Sequence, residues 1–157
     1  MPTSLNRLAR TCVIALLPLA APALSVAPAA AQISIGISVN IAPPALPVYV
    51  QPPLPAPGYI WTPGYWAWDP GLADYYWVPG AWVAPPRVGL LWTPGWWGWS
   101  NGVYLFHAGY WGPRVGFYGG VNYGFGYTGS GYFGGEWRGD RYFYNSSVNN
   151  VRNVSVT

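Results

Sequence analysis

An all-β fold, an antiparallel meander of tandem aromatic hairpins, is predicted by three observations. Gly 21 and Pro 18 in 157 residues disfavour interior helices, because Gly and Pro cost roughly 1 and 3 kcal/mol against Ala there. Trp 11, Tyr 13 and Phe 5 all lie beyond residue 31, and aromatic side chains favour strands. A short tryptophan motif then recurs at nearly even intervals. Coiled coils, helical bundles and Rossmann-type enzymes are excluded on these grounds. Charged residues are only 7% of the chain, against roughly 25% in an average globular protein.

Residues 1–31 are read as a signal peptide. They hold a basic start (Arg7, Arg10), an apolar stretch from Thr11 to Ala20 and small residues ending Ala29-Ala30-Ala31, the three-part layout of a secretory leader. The run is broken at Pro18 and Pro22 and falls short of the roughly 20 apolar residues a spanning helix needs. Cleavage after Ala31 leaves no cysteine, lysine or methionine, so the exported domain must be held by packing alone. It also leaves five arginines (87, 114, 138, 141, 152) against Asp69, Asp74, Glu136 and Asp140, a net charge of +1. Nucleic acid is not an expected partner, since its capture needs several phosphate contacts.

Between the leader and the repeats, residues 32–57 are read as a candidate strand plus a linker. Ile33 to Ile41 alternates apolar and small polar residues, as an added edge strand would. Residues 42–57 hold seven prolines and are expected to form an extended polyproline-like linker.

Residues 58–116 form the repeat domain. Its copies are Trp61-Thr62-Pro63-Gly64-Tyr65-Trp66, Trp77-Val78-Pro79-Gly80-Ala81-Trp82, Trp92-Thr93-Pro94-Gly95-Trp96-Trp97 and a worn Phe106-His107-Ala108-Gly109-Tyr110-Trp111. Each is too short to bury its own aromatic face, so neighbours must do so for one another. Odd copies run on into Trp68 or Trp99 and then a turn, Asp69-Pro70-Gly71 or Ser100-Asn101-Gly102. Even copies lead to Pro86-Arg87-Val88-Gly89 or Pro113-Arg114-Val115-Gly116. The unit is therefore two copies long, 58–89 and 90–116, and each unit reads as one hairpin. Pro-Gly inside the motif admits a tight type II turn or a bulge in a longer strand. The bulge is preferred, because one extra residue brings tryptophans five apart onto the same side.

Residues 117–144 are a Gly- and aromatic-rich segment expected to pack on or extend the sheet. Tyr123 to Tyr127 would give one aromatic and one bare face as a strand, with a flexible segment as the other reading, and Tyr132 to Trp137 reads as an eroded fifth motif. Residues 145–157 are expected to be a polar tail or an edge strand.

The Trp-x-Pro-Gly-x-Trp copies, the lead-in Tyr59-Ile60-Trp61 and Trp97-Gly98-Trp99 resemble the bacterial YXWGXW (WXXGXW) repeat family over about 59–111. The resemblance implies an exported protein of Gram-negative bacteria, of undefined biochemical role, and brings no catalytic residues with it. The expected location is the periplasm or cell envelope, with secretion or outer-membrane association as variants.

Catalytic chemistry has little material, and no enzyme is expected. His107 is the single histidine and takes the slot of Thr62, Val78 and Thr93, an outward strand position. A metal site wants several His, Cys or carboxylate ligands, so no metal and no cofactor is expected. Asp69 and Asp74 suit turn capping. Aromatic density remains, and successive strand residues cannot all point inward. The expected binding surface is drawn from Trp61, Trp66, Trp68, Trp77, Trp82, Trp92, Trp96, Trp97, Trp99 and Trp111. Arg87 and Arg114, at equivalent places, are candidate contacts for an acidic partner, with solvated strand ends as the other account. The first reading is a structural or adhesive module that packs on itself or on another envelope protein. The alternatives are a glycan-binding module for peptidoglycan or exopolysaccharide, and attachment at a membrane interface without a transmembrane helix.

Overall fold

A computed structural model describes residues 37–151. The leader, Ile33 to Gly36 of the candidate strand and residues 152–157 of the tail lie outside them. The described residues contain no helix, hence none long and apolar enough to cross a membrane. The strands are β1 (Ser38–Val39), β2 (Ile60–Thr62), β3 (Tyr65–Asp69), β4 (Asp74–Val78), β5 (Ala81–Val83), β6 (Leu91–Thr93), β7 (Trp96–Ser100), β8 (Val103–His107), β9 (Tyr110–Gly112), β10 (Asn122–Gly124), β11 (Tyr127–Thr128), β12 (Gly135–Arg138) and β13 (Arg141–Tyr144). Every pairing is antiparallel.

Each two-copy unit folds as one long hairpin broken in the middle. In the first, β3 pairs β4 next to the turn and β2 pairs β5 beyond the break. In the second, β7 pairs β8 and β6 pairs β9. The turns follow the residues that mark them. Asn101 and Gly102 both have positive φ, 49° and 85°, the pattern of a two-residue type I′ turn. The first turn holds two residues more, and Asp69 Oδ1 organises it by accepting from the Gly71 and Leu72 amides at 2.8 and 3.2 Å.

The Pro-Gly break is neither a bulge nor a tight turn. Thr62 faces Ala81 on one side of it and Tyr65 faces Val78 on the other, so both strands skip two residues and the register is unchanged. Pro63 therefore lies opposite Gly80, and Gly64 opposite Pro79. The preferred bulge is corrected to a symmetric node: proline has no N–H for the ladder, and the glycine opposite lets the two backbones meet. A Cβ on Gly80 would lie 2.5 Å from Trp61 Cζ2 and 2.9 Å from the Gly64 amide nitrogen, and a Cβ on Gly64 would overlap the Trp77 indole. The first tryptophan of each copy thus lies over the glycine of the other. That is why the motif works in pairs.

Residues 42–57 are not a free linker. They form a strap laid along the first hairpin. The Trp66 indole N–H donates to the Ala45 carbonyl at 3.2 Å and that of Trp82 to the Pro52 carbonyl at 2.8 Å. Between these anchors the Tyr49 ring packs on Trp61 at 6.3 Å and Trp77 at 5.7 Å between centroids. All four motif tryptophans of this hairpin consequently meet the strap from one side. The shared side expected from the sequence is reached through the node, without an extra residue. Before the strap, Ser38 and Val39 of the predicted Ile33–Ile41 strand form β1, which adds to β8 as an edge strand, while Asn40 and Ile41 bend away from it.

The C-terminal segment packs across both hairpins. Tyr123 to Tyr127 is corrected from a single strand to a small hairpin of β10 and β11, because Gly124, Phe125 and Gly126 all have positive φ, 72°, 50° and 94°. Tyr123 and Tyr127 turn inward as a result and join Trp61 and Tyr118 in the core. Tyr132 to Trp137 leads into β12, which pairs with β13 across Gly139 and Asp140, a partner the sequence reading did not supply. Residues 145–151 are corrected from a tail or edge strand to a clasp. Gln51 Nε2 donates to Asn149 Oδ1 at 3.0 Å, and the Asn150 amide donates to Gln51 Oε1 at 2.7 Å.

Candidate functional site

The ten tryptophans expected at the surface divide into three groups. Trp61 is 1% exposed and belongs to the core, which corrects its place on the binding surface. It is enclosed by Trp82 at 5.4 Å, Phe125 at 5.5 Å and Tyr49. Eight others are half-buried, each packed against at least one other aromatic ring. Trp66 meets Trp77 edge-on at 5.3 Å, Trp68 meets Tyr75 at 5.0 Å, and Trp92 lies against Trp111 at 5.2 Å. Such pairs contribute about 0.5–1.5 kcal/mol beyond burial. Trp82 is held by Tyr144 at 6.0 Å as well as by the strap. Trp97 donates its indole N–H to the Trp66 carbonyl at 2.8 Å and packs on Tyr75 at 5.1 Å, joining the two hairpins. Trp96 stacks on His107, with centroids 4.1 Å apart and planes 7° apart.

Trp99 stands alone in the third group, 60% exposed, with Tyr104 beside it at 4.7 Å. It sits one residue before the end of β7, next to the Asn101-Gly102 turn. The matching turn of the first hairpin exposes Leu72 (79%), and β4 exposes Tyr76 (52%). Neither was singled out from sequence, although a signal for Tyr76 existed. In Tyr75-Tyr76-Trp77 the middle residue must face away from its neighbours, and Tyr75 and Trp77 are the two that pack.

The polar candidates are arranged simply. Arg87 and Arg114 are both exposed, at the ends of their hairpins. Among the described residues the ion pair formed is Arg138 with Glu136, and the Arg138 guanidinium also covers the Phe143 ring at 4.6 Å. His107 is exposed, as an outward strand position requires. Asp74 Oδ1 accepts the Tyr75 amide at 2.7 Å, a turn role like that of Asp69. Among the described residues no three of His, Cys, Asp and Glu come together.

Tyrosine hydroxyls hold the hairpins to the C-terminal segment. Tyr127 Oη donates to the Trp92 carbonyl at 2.9 Å and lies 3.3 Å from the Trp61 carbonyl, so one atom spans both hairpins. Tyr123 Oη donates to the Gly95 carbonyl at 2.6 Å. Burial pushes the pKa of both upward, Tyr127 strongly. Tyr132, hydrogen-bonded to Tyr142 at 2.7 Å, is pushed up to about 12 by burial.

Residues 57–83 and 87–111 are two copies of the WXXGXW repeat. No curated protein and no solved structure matches the chain significantly.

Proposed function

We propose that this carrier of two WXXGXW repeats is an exported, non-enzymatic module of the cell envelope that docks through the aromatic tips of its hairpins, on a second copy or on another envelope protein. The observation that carries the reading is Trp99. A tryptophan 60% exposed beside Tyr104, in a chain that covers its other tryptophans with a strap, a neighbouring hairpin and a C-terminal segment, is suited to a partner that completes its burial. Leu72 and Tyr76 are further exposed apolar side chains on the other hairpin, and Trp and Tyr carry an apolar body suited to contact surfaces. Export is supported by the leader-like layout of residues 1–31.

Sedimentation of the chain lacking residues 1–31 tests the reading. Its mass is expected to rise with concentration, or on addition of a solubilised envelope fraction, and Trp99→Ala is expected to abolish the rise while circular dichroism stays unchanged. Identical behaviour of the variant and the parent would overturn it. Quenching of Trp99 fluorescence by soluble peptidoglycan fragments, with no change in mass, would move the function to glycan binding.

A further inference from the structure

We infer that the space between the two Pro-Gly nodes is a binding site for a small, uncharged, flat apolar molecule, separate from the docking tips. The pocket measures about 380 Å³, within the range of roughly 300–1,000 Å³ typical of ligand sites. One hairpin supplies Pro63, Tyr65 and Pro79, and the other supplies Trp92, Phe106 and Ala108. Pro63 and Gly95 are buried at its floor, while Pro79 and Ala108 are exposed at its mouth. The Tyr65 and Phe106 rings stack on each other across the two hairpins, 20° between planes and 5.5 Å between centroids, and together with Trp92 they make the lining largely aromatic.

The lining selects the chemistry. No charged side chain borders the space, which disfavours ions of either sign. The Thr62 hydroxyl already donates to the Ala81 carbonyl at 2.9 Å, leaving the Tyr65 hydroxyl and the Trp92 indole N–H as the remaining side-chain polar groups of the lining. A sugar placed here would leave most of its hydroxyls without partners, at a cost of about 1–3 kcal/mol for each one buried. A ring system made chiefly of carbon loses nothing of that kind.

The worn copy explains why there is room. Phe106 and Ala108 stand where the second copy has Trp77 and Pro79, and both line the pocket. Each is smaller than the residue the motif calls for, so the erosion of the fourth copy coincides with the opening. Restoring the motif is therefore a way to fill the site without inventing a new packing. The node tolerates proline at 108, because Pro79 occupies the equivalent position opposite Gly64 in the first hairpin.

The test is a titration of the full chain with N-phenyl-1-naphthylamine, a neutral flat probe, followed by probe fluorescence. Saturable one-to-one binding is expected. The double variant Phe106→Trp, Ala108→Pro is expected to bind at least tenfold more weakly while melting at the same or a higher temperature. Ala81→Leu, at an exposed position on the mouth, is expected to weaken binding likewise and serves if the double variant fails to fold. Trp99→Ala should bind as the parent does. Absence of saturable binding, equal binding by the folded pocket variants, loss of binding in Trp99→Ala, or displacement of the probe by oligosaccharide would each overturn the inference. Sedimentation mass reports on the docking tips and probe binding on this pocket, so the two readings fail separately.

Discussion

The two hairpins are built on one plan, and their nodes differ in what covers the glycines. In the first, Trp61 lies over Gly80 and Trp77 over Gly64; in the second, Trp92 lies over Gly109, but Phe106 replaces the second indole over Gly95. A Cβ on Gly95 would still find Phe106 Cζ at 2.9 Å, so the covering role survives with a smaller ring. The comparison shows what the motif encodes. Its first tryptophan and its glycine are not partners within a copy; they are halves of two reciprocal contacts made across the hairpin. A copy can lose its indole and its proline, as the fourth has, while glycine at the node stays necessary.

The sharpest test of that reading is the burial contrast between equivalent tryptophans. Trp61→Ala should cost about 4 kcal/mol, within the range for emptying a buried aromatic site, whereas Trp92→Ala, whose ring is half-buried, should cost about half as much by denaturant unfolding. Near-equal costs would mean that the hairpins are not distinguished by their place in the core. Next in size is the node itself. Gly64→Ala should lose about 3 kcal/mol, because the new methyl would meet the Trp77 indole and, at 2.7 Å, the Val78 carbonyl, beyond what easy repacking absorbs. Gly95→Ala should lose less, since a phenyl ring yields more readily than an indole. An equal loss at the two sites would locate the constraint in the backbones alone.

Much of this was legible in the sequence. Tandem spacing near fifteen residues, Asn101-Gly102 and the aromatic runs were enough for paired hairpins. The node was not, because a Pro-Gly break on one strand becomes symmetric only once the opposite strand is in register, and register belongs to the pair. The strap is legible as an extended chain but not as a docked one, for a related reason. Seven prolines in residues 42–57 describe an extended chain, and only the indole donors of Trp66 and Trp82 turn that chain into a ligand of the hairpin. Proline keeps its carbonyl acceptor while losing its N–H, so a proline-rich segment can satisfy indoles without joining a ladder. For the site, alternation identified exposed aromatics as a class but could not separate Trp99 from the eight half-buried tryptophans, whose covers come from distant segments.

Two smaller effects probe how the C-terminal segment joins the pair. Tyr127→Phe removes the hydroxyl that spans the Trp61 and Trp92 carbonyls and should cost about 1–2 kcal/mol, lowering the melting temperature without altering the circular dichroism of the folded state. Alkali should act on the same segment. Tyr132 and Tyr144, both pushed up to about 12 by burial, keep their protons in the folded chain where unfolded tyrosines lose them near 10. The unfolded state then binds fewer protons, so stability is unaffected below about pH 10 and falls as the pH rises toward 12. Tyrosinate absorbance at 295 nm should show a late, cooperative step coinciding with unfolding, and smooth titration of every tyrosine near 10 would contradict the burial described.

The amide clasp between Gln51 and the pair Asn149 and Asn150 joins residues 98 and 99 positions apart. For a polypeptide emerging from a ribosome or threading a translocation pore N-terminus first, this is among the last joints to close. Both hairpins can zip as soon as they clear the channel, because their pairings are local, and the strap can dock on the first of them through Trp66 and Trp82, while the Gln51 joint waits for nearly all of the described chain. Assembly is thus ordered in time by contour length, with a strap already laid on its hairpin locked at the end.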